Sequence, residues 1–253
     1  MPLRVSVQQE WDHSLQVMRY SRVLPRYLIV IAVFSCLLWQ ENSLAETSDW
    51  APIVKAALEN LDATNLDEDW HFTMEVLEED ALQIIHSDPR RDIYEKRQLL
   101  TVDGIAPDSQ RLDEFHDKEV KRINDIDPDA LGYAYMVDME TLELIEASDG
   151  HTMFSFVPKV KMLEDSRDQL RGTLLLDSAT QQIEEIEIIN TDDLSPAFSV
   201  TVNTFRLGLS FEEEQGENLL QKLESHTVGK MGFLKSFDAL VIVDFSEYTR
   251  AQP

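Results

Sequence analysis

Three aspartates at alternate positions, Asp125, Asp127 and Asp129, are the first residues whose type and spacing could do chemistry. A calcium loop opens with closely spaced oxygen ligands of this kind. The rest of such a loop is missing, because its sixth position is Ala130 where the turn needs glycine and its twelfth is Met136 where a bidentate glutamate belongs. A solvated acidic link is the simpler reading. The histidines His71, His86, His116, His151 and His226 are scattered, with no HExxH and no close pair, so no metal site is expected. There is no GxSxG elbow, no phosphate-binding GxxxxGK[ST] and no GxGxxG. Aspartate and glutamate together number 48 of 253 residues, so any one pair of carboxylates is weak evidence for acid–base catalysis. A Ser-His-Asp arrangement drawn from distant segments would leave no mark in the sequence. No catalytic residue and no cofactor are nominated.

The remaining chemistry is apolar. Trp70, Phe72, Met74, Tyr133, Tyr135, Met153, Phe154 and Phe156 lie in strand-like runs. They read either as ordinary core or as the wall of a cavity for a hydrophobic ligand. From Trp70 the pattern has period two, with Trp70, Phe72, Met74 and Val76 on one face. A helix is expected over Ser109 to about Asn124, capped by Asp108, with Leu112, Phe115, His116, Val120 and Ile123 as its apolar stripe. That stripe needs a partner. Leu112, Phe115 and Val120 are therefore the expected lid, and Trp70, Phe72, Met74, Phe154 and Phe156 the expected walls.

The elements that must position them are mostly strands. An earlier helix, capped by Ser48 or Asp49, presents Ile53, Val54, Ala57, Leu58 and Leu61 on one side. Strands are expected over Ile93–Val102, Tyr133–Val137, Leu142–Ala147 and Met153–Val157. The chain is organised around the meander from Leu170 to Phe211, whose apolar runs are divided by Asp177-Ser178-Ala179-Thr180 and by Asp192-Asp193-Leu194-Ser195-Pro196. In its last run Phe198, Val200 and Val202 share one parity, whereas Phe205, Leu207, Leu209 and Phe211 take the other. A switch of face inside one long strand predicts a bulge near Asn203-Thr204. Two long strands, about Leu219–Met231 and Lys235–Tyr248, complete one α+β domain over residues 46–253, a strongly curved antiparallel sheet of roughly ten strands with two helices against its concave face.

Residues 1–45 read as a signal peptide. Tyr27–Trp39 is apolar, follows Arg19, Arg22 and Arg26, and is short for a bilayer span. Ser43-Leu44-Ala45 offers small residues for cleavage before Glu46. Glu10 and Asp12 are out of place ahead of a basic region, which points to Met18 as the true start. The alternatives are an uncleaved anchor, or a lipoprotein signal at Cys36, although apolar residues continue beyond that cysteine. Cys36 is the only cysteine, so the exported chain would rely on its core alone, without thiol or zinc–thiolate chemistry. A net charge of −26 repels nucleic acid and anionic headgroups, leaving basic proteins or apolar ligands as partners. The mature chain offers no stable membrane span.

The order of elements resembles the LolA-like group of periplasmic lipoprotein carriers. The resemblance rests on Trp70–Val76, on the hairpin Leu174-Leu175-Leu176-Asp177 to Ile186-Glu187-Ile188, and on Gly232-Phe233-Leu234-Lys235-Ser236-Phe237-Asp238 with Val243-Asp244-Phe245-Ser246-Glu247-Tyr248. Leu99-Leu100-Thr101-Val102-Asp103-Gly104-Ile105-Ala106-Pro107-Asp108, leading into a charged helix, is similar to uncharacterised secreted Gram-negative members of that group. It implies a half-barrel closed by helices, a periplasmic location and an acyl chain as cargo. It also implies a lid arginine near the early strands, for which Arg97 stands as the placeholder. Three functions follow: a non-enzymatic carrier or sensor of a lipid or lipoprotein acyl chain; an envelope interaction or homeostasis module with a filled core and an acidic face toward a basic partner; and a hydrolase of unrecognised site. Because one fold hosts many functions, a connected cavity would favour the first.

Overall fold

The structure, a computed structural model, describes residues 50–125, 132–197, 199–232 and 235–251. The expected leader, its cleavage site, the Ser48/Asp49 cap, the Asp127 and Asp129 pair and Phe198 lie outside the described residues. Helix α1 covers residues 50–63 and α2 spans Leu66–Asp69. Strands β1 (Trp70–Glu78), β2 (Ala81–Ser87) and β3 (Arg97–Val102) follow, then α3 (Ser109–Asp125) and α4 (Tyr133–Met136). The remaining strands are β4 (Glu143–Ala147), β5 (His151–Phe156), β6 (Leu170–Asp177), β7 (Ile183–Asn190), β8 (Leu194–Ala197), β9 (Val200–Glu214), β10 (Glu217–Met231) and β11 (Lys235–Arg250).

All the strand pairings described are antiparallel. They build one sheet in the order β3-β2-β1-β11-β10-β9-β7-β6-β5-β4, with β8 paired to β9 beside this path. The expected α+β class is found. The sheet is open, with β3 and β4 at its edges, and it is neither closed nor strongly curled.

Local chemistry explains most element ends. The β1–β2 hairpin turns on Glu79 and Asp80, both at positive φ (50° and 67°), as a two-residue turn matched to strand twist requires. Strand β3 starts at Arg97, not at Ile93, because Asp88 to Lys96 is folded into turns: the Asp88 N–H donates to the Lys96 carbonyl at 2.9 Å and the Glu95 N–H to the Asp92 carbonyl at 2.8 Å. The Arg90 side chain hydrogen-bonds the Asp88 carboxylate and holds its pKa down to about 2. Asp108 caps α3 as expected, accepting the Arg111 N–H at 2.9 Å. Tyr133–Met136 is helical where a strand was expected. The Asp62 carboxylate at the end of α1 accepts the Tyr133 and Ala134 N–H groups, the latter at 3.1 Å, and Gly132 enters at φ 113° where a Cβ would lie 2.8 Å from that carboxylate. The face switch near Asn203 is a bulge, since Val228 pairs with Thr204 and Gly229 with Val202.

One row of paired residues crosses the sheet: Val102, Gln83, Val76, Val243, Leu223, Leu209, Ile186, Leu174, Phe154 and Leu144. Directly paired residues share a face, so this row marks the inner side. Over the β5–β9 half, α1 fills it. Val54, Ala57, Leu58 and Leu61 pack onto Phe154, Phe156, Leu174, Ile186 and Leu209 in a continuous buried core. Over the β1–β11 half the core is a smaller cluster of Trp70, Phe72, Met74, Ile85, Leu99, Leu219 and Tyr248. The Tyr248 hydroxyl there donates to the Leu220 carbonyl, and burial pushes its pKa upward.

Gly172 sits opposite Phe156, whose ring lies 2.2 Å from where a Cβ would stand. Gly172→Ala is expected to destabilise the fold by about 2 kcal/mol or more, because the buried ring has no room to retreat in a packed core. Chemical denaturation measures this; an unchanged midpoint would show that the ring can move.

Candidate functional site

Where α1 ends, the inner face is left partly uncovered. A cavity of about 820 Å³ lies between β1, β2, β10 and β11 on one side and α2, α3 and α4 on the other. Its floor is Phe72, Met74, Val76, Ile85, Leu220, Leu223, Val243 and Phe245. These residues meet because strand alternation sends every second side chain inward and because Met74 pairs with both Ile85 and Phe245. The roof is supplied by Leu61, Leu66, Phe115, Tyr133 and Met136. The volume lies in the range of small-ligand sites, and the apolar floor is bordered by charged and polar residues, among them Asp62, Asp67, Glu78, Arg97, Lys118 and Glu119.

The polar groups gather where helices meet strands. Arg97 on β3 reaches Asp67 on α2, with Nη2 3.3 Å from Oδ1, and the Lys96 ammonium donates to the Asp67 carbonyl at 2.9 Å. Lys118 on α3 faces Glu78 at 4.0 Å, and Glu119 is held by Arg122 at 2.9 Å. Asp62 is occupied in capping α4. Burial, and after it the nearby Asp62 charge, push the Tyr133 pKa up to about 12, so its hydroxyl stays protonated.

The eight expected ligand-lining residues divide. Phe72 and Met74 line the floor and Phe115 the roof. Trp70 is fully buried beside Tyr248, ring centroids 6.0 Å apart, and does not line the cavity. Phe154 and Phe156 belong to the filled core under α1, not to a cavity wall, because α1 occupies the face they share. Leu112 is 43% exposed and Val120 half-buried, and neither lines the cavity. No described side chain of α3 is fully buried, so that helix covers the site through Phe115, Lys118 and Glu119 alone.

Sequence reasoning missed Leu220, Leu223 and the ion pairs Arg97–Asp67 and Lys118–Glu78 beside the cavity. For Val243 and Phe245 the signal was present in the alternation of the last strand. In β10 the bulge at Leu220/Lys222 breaks that alternation. A second, polar cavity of about 330 Å³ lies beyond the other side of α1, against Asn60, Thr64, Asp69, Gln182, Glu217 and Arg250.

The fold also brings together side chains that the sequence scatters. His151, Asp177 and Glu184 place potential ligand atoms within 4.8 Å of one another. They are engaged locally: His151 Nδ1 lies 2.8 Å from Glu184, and Asp177 Oδ1 accepts the Ala179 and Thr180 N–H groups and the Thr180 hydroxyl. His71 and His86 stack with centroids 6.3 Å apart. No described helix is long and apolar enough to cross a membrane. Comparison of the chain with protein-family models, with curated proteins and with solved structures finds no match.

Proposed function

We propose that this chain is an exported, periplasmic, non-enzymatic protein of LolA-like type that holds the acyl chain of a lipid or lipoprotein. The observation that carries the reading is the 820 Å³ apolar cavity between the β1–β11 half of the sheet and α2–α4. Such a site binds by removing methylenes from water, at about 0.8 kcal/mol for each CH₂ buried, so it needs no catalytic group. The apolar floor built by Phe72, Met74, Val76, Ile85, Leu220, Leu223, Val243 and Phe245 supports a carrier or sensor of an apolar ligand. The cavity likewise favours it over an interaction module with a filled core. The half-barrel is part of this proposal: bulges at His71/Thr73, Leu220/Lys222 and Val228/Gly229 are where the long strands would bend around a ligand. Titration with the neutral probe N-phenylnaphthylamine tests it. Saturable fluorescence enhancement is expected, and its absence from the folded protein would reject the reading. Export carries its own check, since the intact mass of the mature protein should begin at Glu46.

Arg97 fits the role of lid arginine. With Lys96 it ties the start of β3 to α2 beside the cavity. Arg97→Leu is expected to speed both loading and release of the probe several-fold. It should lower stability by about 1 kcal/mol or less, since the pair is partly solvated. Stopped-flow exchange rates equal to those of the parent would remove the lid from the account.

A further inference from the structure

We propose that His151, Asp177 and Glu184 form a binding site for a divalent transition-metal ion, Zn²⁺, on the outer face of the sheet and apart from the acyl cavity. The three residues come from the adjacent strands β5, β6 and β7. His151 and Asp177 are direct cross-strand partners, so their side chains share a face. That face is the outer one, because Thr152, the next residue along β5, is buried and Phe154 lies in the core under α1. Glu184 reaches the same face through a bulge. Leu176 pairs with Ile183 and Leu175 with Glu185, which leaves Glu184 as the extra residue. Ile183 thereby stays buried while Glu184 is turned outward beside His151, the kind of re-aiming that bulges perform.

The donor set suits a borderline metal. One imidazole nitrogen and two carboxylate oxygens lie within 4.8 Å of one another. At about 2.0–2.2 Å from a common Zn²⁺, tetrahedral donors stand roughly 3.4 Å apart. His151 Nδ1 and Glu184 Oε2, at 2.8 Å, are already near that spacing, and small side-chain torsions bring Asp177 to it. The Ala179 and Thr180 N–H groups and the Thr180 hydroxyl orient the Asp177 carboxylate, and all three bonds fall on Oδ1, which leaves Oδ2 for the ion. Among the described residues, no lysine or arginine forms an ion pair with Asp177 or Glu184. Asp149, two residues before His151, and Glu185, next to Glu184, add further negative charge. Two carboxylates offset the charge of a divalent ion, and the imidazole favours zinc over hard cations such as Mg²⁺. Water completes the coordination at this solvent-reached position.

Calorimetric titration of the metal-free protein with zinc chloride tests the site. Saturable binding at one site per chain is expected, with a rise in the thermal midpoint, since an ion that binds the folded state stabilises it. His151→Ala and Glu184→Gln should each weaken binding at least about tenfold, the loss that removing even a supporting partner of a ligand can bring. Both changes lie on the outer face and should leave N-phenylnaphthylamine binding as in the parent. His226→Ala is the control, because His226 is another outer histidine with a carboxylate partner, Asp238 at 2.9 Å, and it should bind Zn²⁺ as the parent does. Absence of saturable binding, or equal binding in the folded His151→Ala protein, would overturn the proposal. So would displacement of the Zn²⁺ by a modest excess of Mg²⁺, which would reduce the site to a general attraction of cations to an acidic surface.

Discussion

Val243→Glu is expected to weaken acyl-chain binding at least about 100-fold, equivalent to about 2.7 kcal/mol, while leaving the empty protein folded. Val243 lies in the middle of the cavity floor, paired with Val76 on one side and Leu223 on the other. It is only half-buried, so a carboxylate there stays hydrated as long as the cavity is empty. Loading an acyl chain would strip that water away, and a carboxylate pressed against methylenes without a partner is costly. The control is one residue away. Ile242→Glu lies on the opposite face, pairing with Leu77 and Glu224, and should leave binding intact. Equal losses in both variants would mean that added charge on β11 acts through the strand and not through the cavity.

Phe154→Ala should separate filled core from ligand wall. Its ring is fully buried under α1 and meets Trp50 edge-on, with centroids 6.0 Å apart. Truncation leaves a void that rigid neighbours cannot close, and losses of about 3–5 kcal/mol are typical for such a change. The expected result is a large fall in the denaturation midpoint, with probe affinity of the folded fraction unchanged. A variant of parental stability but weakened binding would place Phe154 on the ligand side after all.

The sequence shows which faces are apolar but not what covers them. Trp70, Phe72 and Met74 were legible because a half-buried strand must alternate, and Phe115 because a helix stripe must bury something. The Asn203 bulge was legible because a change of parity within one strand has few other causes. Phe154 and Phe156 carry the same pattern as Phe72 and Met74, and one inner face holds both sets. Their difference comes from α1, which reaches one half of that face and stops at residue 63. Local patterning cannot see where a helix runs out over a sheet. Tyr133–Met136 was misread for a related reason. An aromatic run beside a glycine resembles a strand, until Asp62, about seventy residues earlier, accepts its N–H groups and turns it into a helix. The ion pairs Arg97–Asp67 and Lys118–Glu78 beside the cavity were hidden in the same way, because their members come from four different elements.

Native mass spectrometry of the protein purified from the periplasmic fraction, followed by lipid extraction, tests the central claim most directly. A bound species is predicted, of mass matching an acyl lipid or an acylated peptide, released on unfolding and lost or reduced in a folded Phe115→Asp variant, because that side chain forms the α3 contribution to the apolar roof. Protein recovered without any lipid, and without affinity for N-phenylnaphthylamine, would contradict the account and leave the cavity as a gap in an ordinary core.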